Sequence, residues 1–125
     1  MKIVVLGGSG YIGTVLCNLL INHGHRIKVI DAQWFGKNLI NNKHLKIIKK
    51  DIRNLDINDL KGYNAIIHLA NIANDPSVEL NPILSWEVNV LSSYKVADFS
   101  ARAGIKKFIF ASSGSVYGVK KELKV

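Results

Sequence analysis

Lys2-Ile3-Val4-Val5-Leu6-Gly7-Gly8-Ser9-Gly10-Tyr11-Ile12-Gly13 is the stretch on which the reading of this 125-residue chain turns. Lys2 to Leu6 is a β-branched run that ends in a glycine cluster, the pattern of a buried strand feeding a tight turn. Gly8 to Gly13 then matches G-x-G-x-x-G, and Gly7 adds the overlapping G-x-x-G-x-x-G spacing. From Ile12 onward, Ile12, Val15, Leu16, Leu19 and Leu20 follow the i, i+3, i+4, i+7, i+8 spacing of one helix face, which predicts a helix ending near His23-Gly24. A glycine turn between strand and helix lets the backbone approach a pyrophosphate, whose charge sits against the helix N-terminal amides, and Gly13 lets the helix pack close to the strand. By itself the pattern is equally that of a turn that binds nothing, so its context decides.

Arg26 to Ile30 is a second β-rich run, closed by Asp31 18 residues after Gly13. A carboxylate there accepts the ribose hydroxyls of an adenosine and repels a 2′-phosphate. Ala32 and Gln33 bring no cation beside it, so NAD is expected in preference to NADP, with Lys37 on the next loop moderating the point. No Gly-Lys-Ser/Thr follows the turn, which sets aside a P-loop.

Leu45 to Ile48 predicts a third strand running into Lys49-Lys50-Asp51, and Ala65 to Leu69 a fourth. After Asn81-Pro82, the residues Ile83, Trp86, Val90, Tyr94, Ala97 and Ala101 fall along one face of a long helix that Gly104 stops. Lys107 to Ala111 is the fifth strand, ending in Ser112-Ser113-Gly114-Ser115. Strands this continuously apolar, separated by a helix at each end of the series, predict an α/β fold. It is a Rossmann-type, doubly wound parallel sheet of strand order 3-2-1-4-5, forming one domain over residues 1–125.

Composition narrows the function. Without a leader segment or an apolar run of membrane-spanning length, the chain is expected to be soluble and cytoplasmic, with no membrane partner. Cys17 is the only cysteine and reads as a small buried hydrophobe. The net charge of +8 would suit an anionic partner, but Lys49-Lys50, Lys106-Lys107 and Lys120-Lys121 are pairs and not a run, lysines sit mostly where strands begin or end, and no aromatic residues interleave with them, so nucleic acid is not expected. His23, His25 and His44 have no metal-ligand grouping, and His68 lies in an apolar strand as a core or cleft histidine, so no metal site is expected.

Taken together, the sequence resembles the extended short-chain dehydrogenase/reductase family, in its NAD-dependent epimerase/dehydratase branch acting on nucleotide sugars. The likeness spans the whole chain and rests on Gly7 to Gly13, Asp31, Asp51-Ile52-Arg53, His68-Leu69-Ala70, Asn89-Val90 and Ser112-Ser113-Gly114-Ser115-Val116-Tyr117-Gly118, in the family's order. The resemblance implies that Gly10, Tyr11 and Ile12 hold the pyrophosphate, Asp31 the adenosine ribose, and Asp51 and Ile52 the adenine, with Gly7, Gly13 and Ala32 also among the cofactor-binding residues. Leu69 and Ala70 would lie on the nicotinamide side and Asn89 along the cofactor cleft. Ser113 would match the family's catalytic serine or threonine, a hydrogen-bond partner of the sugar.

The family also uses a Tyr-x-x-x-Lys pair on the next helix, which is expected to lie past Val125 together with the sixth strand and the substrate lobe. Tyr117 and Lys121 satisfy the spacing, but Tyr117 belongs to the Val-Tyr-Gly after the fifth strand and Gly118 weakens a helix there, so the match reads as coincidence. The chain is therefore expected to bind NAD without turning over, and to expose the far side of its fifth strand. A homodimer through the long helix, Pro82 to Ala103, together with the helix expected past Val125 is implied for the complete enzyme, so a dimer of this chain alone is not expected. Two rival readings are a non-catalytic NAD-binding or regulatory module and, more remotely, a basic protein associated with nucleic acid. Asp75, Glu79, Trp34 and Phe35 are left without a role.

Overall fold

Strand β1 (Lys2–Leu6) is the middle of the sheet because Ile3 to Leu6 are apolar on both faces and buried on both. In the computed structural model, which describes residues 1–34, 36, 39, 41–72 and 80–113, it pairs in parallel with β2 (Arg26–Asp31) and β4 (Ala65–His68). The outer strands β3 (Leu45–Lys49) and β5 (Lys107–Phe110) complete a five-stranded parallel sheet of order β3-β2-β1-β4-β5, the order expected.

Alternation along the strands splits the core in two. Val4, Leu6, Ile30 and Ile66 face one side and pack with Ile52, Leu55, Leu60, Val88 and Val96. Ile3, Val5, Ile27, Val29, Ala65 and Ile67 face the other and pack with Cys17 of helix α1 (Tyr11–Asn22). Burial pushes the Cys17 thiol up to about 11, so it stays a neutral packing group.

The orientation of α1 differs from the expected face. Gly13 and Cys17 are buried and Leu16, Leu20 and Ile21 pack partly against the sheet, while Ile12, Val15 and Leu19 are exposed. Gly13 sets this rotation: a Cβ there would lie 2.6 Å from Gly8 Cα and 2.7 Å from the Gly7 carbonyl oxygen, so helix and turn touch through it.

The long helix is likewise rotated from the expected stripe. It runs as α2 (Pro82–Trp86), a π-helical turn (Glu87–Leu91) and α3 (Ser92–Arg102), begun by Asn81, whose Oδ1 accepts from Leu84 N–H at 3.1 Å, and stopped at Gly104, φ 74°. Ser85, Val88, Ser92, Val96 and Ser100 point inward, and Ile83, Trp86, Val90, Tyr94, Ala97 and Ala101 point outward. The serines go inside because each hydroxyl donates back to its own helix, Ser85 to Asn81 O, Ser92 to Glu87 O and Ser100 to Val96 O, while their small size lets the helix lie close to the sheet.

All four β5 residues are exposed, Phe108, Ile109 and Phe110 among them. Lys2 and Lys28 of β1 and β2 hold their ammonium groups 4.8 and 5.3 Å from the Tyr63 ring centroid. Lys28 is buried and its Nζ donates to Asp59 O at 2.7 Å. Among the described residues no helix is long and apolar enough to cross a membrane.

Candidate functional site

The carboxyl ends of β1, β2, β4 and β5 open onto one cleft of about 800 Å3. Parallel sheets place ligand sites at this edge, in the crevice where strand order reverses between β1 and β4. One end is lined by Asp31, Ala32, Trp34, Asp51 and Ile52. The middle is lined by Gly7, Gly10, Tyr11, Ile12 and Gly13, and the far end by Leu69, Ala70, Asn71, Ala111 and Ser112.

The middle follows from the glycines. Gly7 sits in the left-handed region at φ 80°, and a Cβ there would lie 2.7 Å from the Ala70 nitrogen, so β1 and β4 can open together at the cleft floor only around a residue without a side chain. At the start of α1 no side chain caps Gly10, and the first-turn amides are left toward the cleft with the positive end of the helix dipole. That is an anion seat built of backbone.

At the β2 end of the cleft, Asp31 is already oriented. Its Oδ2 accepts from Ser9 N–H at 2.9 Å and its Oδ1 from Gln33 N–H at 2.6 Å, with Gln33 at φ 58°. The carboxylate thus joins the glycine turn to the loop after β2, and each oxygen keeps a second lone pair for a ligand hydroxyl. Asp51 caps the 3₁₀ turn Ile52–Asn54 by accepting from Arg53 N–H at 2.8 Å, and the Arg53 guanidinium beside it holds its carboxyl below the usual carboxylate range. Ile52, buried, fixes that turn to the core.

Asn89 departs from expectation. Its carboxamide accepts from Ile72 N–H at 2.7 Å and donates to Ile72 O at 3.0 Å, pinning the loop after β4, while the helix presents Val88 to the cleft instead. Both hydrogen-bonding ends of Asn89 are engaged, which leaves it a brace for the Leu69–Ile72 wall. Nothing in the spacing separates Val88 from its neighbours; the π-helical turn that rotates it inward has no sequence signature of its own.

At the strand ends Ser112 lines the cleft and Ser113, the next residue, is exposed. His68 lies behind the wall, 1% exposed, with Nε2 2.9 Å from Ser93 Oγ and its ring edge-on to Phe110 at 5.3 Å. Burial pushes its pKa down to about 4, so it is a neutral packing group. Lys50, read in the sequence only as part of a basic pair, and Asn71, left without a role there, also line the cleft. Phe35, Lys37, Asp75, Glu79, Tyr117 and Lys121 lie outside the described residues. Among the described residues no three His, Cys, Asp or Glu side chains gather as a metal site.

A parallel five-stranded sheet with a glycine turn at its central strand and an acidic residue closing the next is a Rossmann-type arrangement. Residues 3–124 match the model of the NAD dependent epimerase/dehydratase family, and the chain belongs to that family. It is 33% identical to a UDP-glucose 4-epimerase of Klebsiella pneumoniae, over 94% of this chain and 93% of that one. Among solved structures it is similar to the UDP-N-acetylglucosamine 4-epimerase of Methanobrevibacter ruminantium M1 in complex with UDP-N-acetylmuramic acid, with a TM-score of 0.90 and 33% identity over 99% of this chain and 41% of that one. The UDP-glucose 4-epimerase of Thermus thermophilus, in complex with NAD, gives a TM-score of 0.81 and 27% identity over 91% and 38%. Other curated relatives, among them UDP-glucose 4-epimerases, are spanned over only 27 to 42% of their lengths, so this chain corresponds to the N-terminal part of proteins more than twice its length.

Proposed function

We propose that this chain is the NAD-binding part of an enzyme that epimerises or dehydrates a sugar carried on a nucleotide. The observation that carries the reading is the convergence, in one cleft, of the uncapped α1 amides, Asp31, the Asp51–Ile52 turn and the Leu69–Ala70 wall. When bound, NAD supplies the oxidant that takes a hydride from a sugar carbon and can return it.

The chain's own residues bind and orient. The Tyr11 and Ile12 amides receive the pyrophosphate charge, and the bare Gly10 allows its close approach. Asp31 accepts the ribose hydroxyls and repels a 2′-phosphate, which favours NAD over NADP. Asp51 and Ile52 seat the adenine, and Leu69 and Ala70 wall the nicotinamide end. Ser113 is assigned as the hydrogen-bond partner of the sugar; a nucleotide sugar is the substrate class. The outward row of Ile83, Trp86, Val90 and Tyr94, 43 to 78% exposed, is assigned as the dimer surface of the complete enzyme.

Calorimetric titration with NAD and NADP tests the reading. NAD is expected to bind more tightly than NADP, and Asp31→Ala to weaken NAD roughly 10- to 100-fold, the worth of hydrogen bonds to a charged acceptor. A folded chain that binds neither dinucleotide overturns it.

A further inference from the structure

The adenine end of the cleft is built on a turn with little core of its own. In the 3₁₀ turn Ile52–Asn54, Ile52 at its start and Leu55 just after it are buried in the core, while Arg53 and Asn54 between them are exposed. The turn's polar attachments to the rest of the protein converge on Arg53. The guanidinium Nη2 donates to Asp51 Oδ2 at 2.7 Å and Nε lies 3.1 Å from Asp51 Oδ1, gripping both carboxylate oxygens. The third nitrogen, Nη1, donates to Glu87 Oε2 at 3.0 Å, across 34 residues of sequence. The backbone is held as well: Lys95 Nζ donates to Arg53 O at 2.9 Å. Arg53 therefore ties the turn to the long helix at two places, residues 87 and 95, about 12 Å apart along a helix.

Glu87 is the first residue of the π-helical turn, and the next residue, Val88, lines the cleft beside Asp51 and Ile52. Ile52 and Val88 pack in one core cluster, and Arg53 adds a polar tie between the Asp51–Ile52 turn and the residue before Val88.

We propose that Arg53 is a positioning residue of the cofactor cleft, its forked guanidinium fastening the Asp51–Ile52 turn to Glu87 so that the adenine end keeps its width. This rests on the cofactor reading above. Arg53 suits the task because its planar fork serves two carboxylates at once, which a lysine's single ammonium does not.

The test is calorimetric titration of the full chain with NAD and with ADP, comparing wild type, Glu87→Gln, Arg53→Lys and Arg53→Met, with melting temperatures measured alongside. The expected result is that Arg53→Met weakens NAD and ADP by the same factor, roughly 3- to 10-fold, with Arg53→Lys and Glu87→Gln in between, while melting temperatures stay within a few degrees. Equal binding by all four chains overturns the proposal and leaves the cofactor reading standing. A loss for NAD without a loss for ADP also overturns it, because the strut would then act elsewhere than the adenine end. Failure of the wild type to bind either ligand removes the cofactor reading, and this proposal with it. If Arg53→Met does not fold, the two conservative variants decide the matter on the same criteria.

Discussion

Two residues show how much of this chain's behaviour is set by single groups. Gly13 has no room for a methyl, with backbone atoms at 2.6 and 2.7 Å from the position its Cβ would take, and backbone cannot step aside as a side chain can. Gly13→Ala is therefore expected to cost about 1–3 kcal/mol, read as a lower melting temperature, and to weaken NAD as the turn is pushed out of place. His68 predicts a pH dependence. Its folded pKa, about 4, lies below its unfolded value of 6.5, so the unfolded chain binds the proton first and stability is lost as pH falls from 6.5 toward 4. The loss is about 3 kcal/mol at most, and it precedes any loss from Asp51 and Asp59, whose pKa values are held below the ordinary 3.8. Denaturation measured between pH 7 and 4 in wild type and His68→Leu checks this: the variant should lose most of the slope, and an equal slope in both would refute it. The site residues visible in the sequence were those whose chemistry is tied to spacing, Gly7 to Gly13 and Asp31. Val88 and Asn71 carried no signal, and Lys50 and Ser112, though in quoted stretches, were given no place in the cleft, because a side chain reaches it through helix rotation or loop path rather than residue type.

At the level of elements, strand order was legible and helix faces were not. Continuous apolar strands joined by helices admit few parallel arrangements, and the glycine turn fixes which strand is central. Apolar periodicity, by contrast, says that a helix has an apolar face without saying what covers it. In α1 the glycine contact overrode the leucine and valine spacing. In the long helix the serines took the inside by bonding to their own helix, leaving Trp86 and Tyr94, 58 and 78% exposed, on the outside. An outward row of this size is the kind of patch that another protein surface covers. Trp86→Glu combined with Tyr94→Lys is expected to leave the melting temperature within a few degrees, since neither side chain is in the core, and to abolish association through this helix. Sedimentation of wild type and variant would measure it; association unchanged in the variant would move the interface elsewhere.

Over the whole molecule, two opposing terms set solubility. The net charge of +8 keeps copies apart, while β5 offers Phe108, Ile109 and Phe110 at 39, 55 and 51% exposure on an edge strand whose outer backbone groups have no neighbouring strand among the described residues. Apolar side chains on both faces of an open edge are a template for strand pairing between copies. Charge repulsion is screened over ~10 Å at 0.1 M salt, whereas apolar contact is not, so added salt removes the opposing term and leaves the attractive one. The 125-residue chain is accordingly expected to self-associate, and increasingly so as salt is raised. Ile109→Lys puts a charge on the edge itself, where pairing would bury it, and should hold the chain monomeric at salt concentrations that associate the wild type, with little change in melting temperature because the residue is already half exposed. Light scattering across a salt series decides between the terms: a wild type that stays monomeric throughout would mean that the β5 edge does not drive association, and a variant that associates as readily would place the contact on another surface.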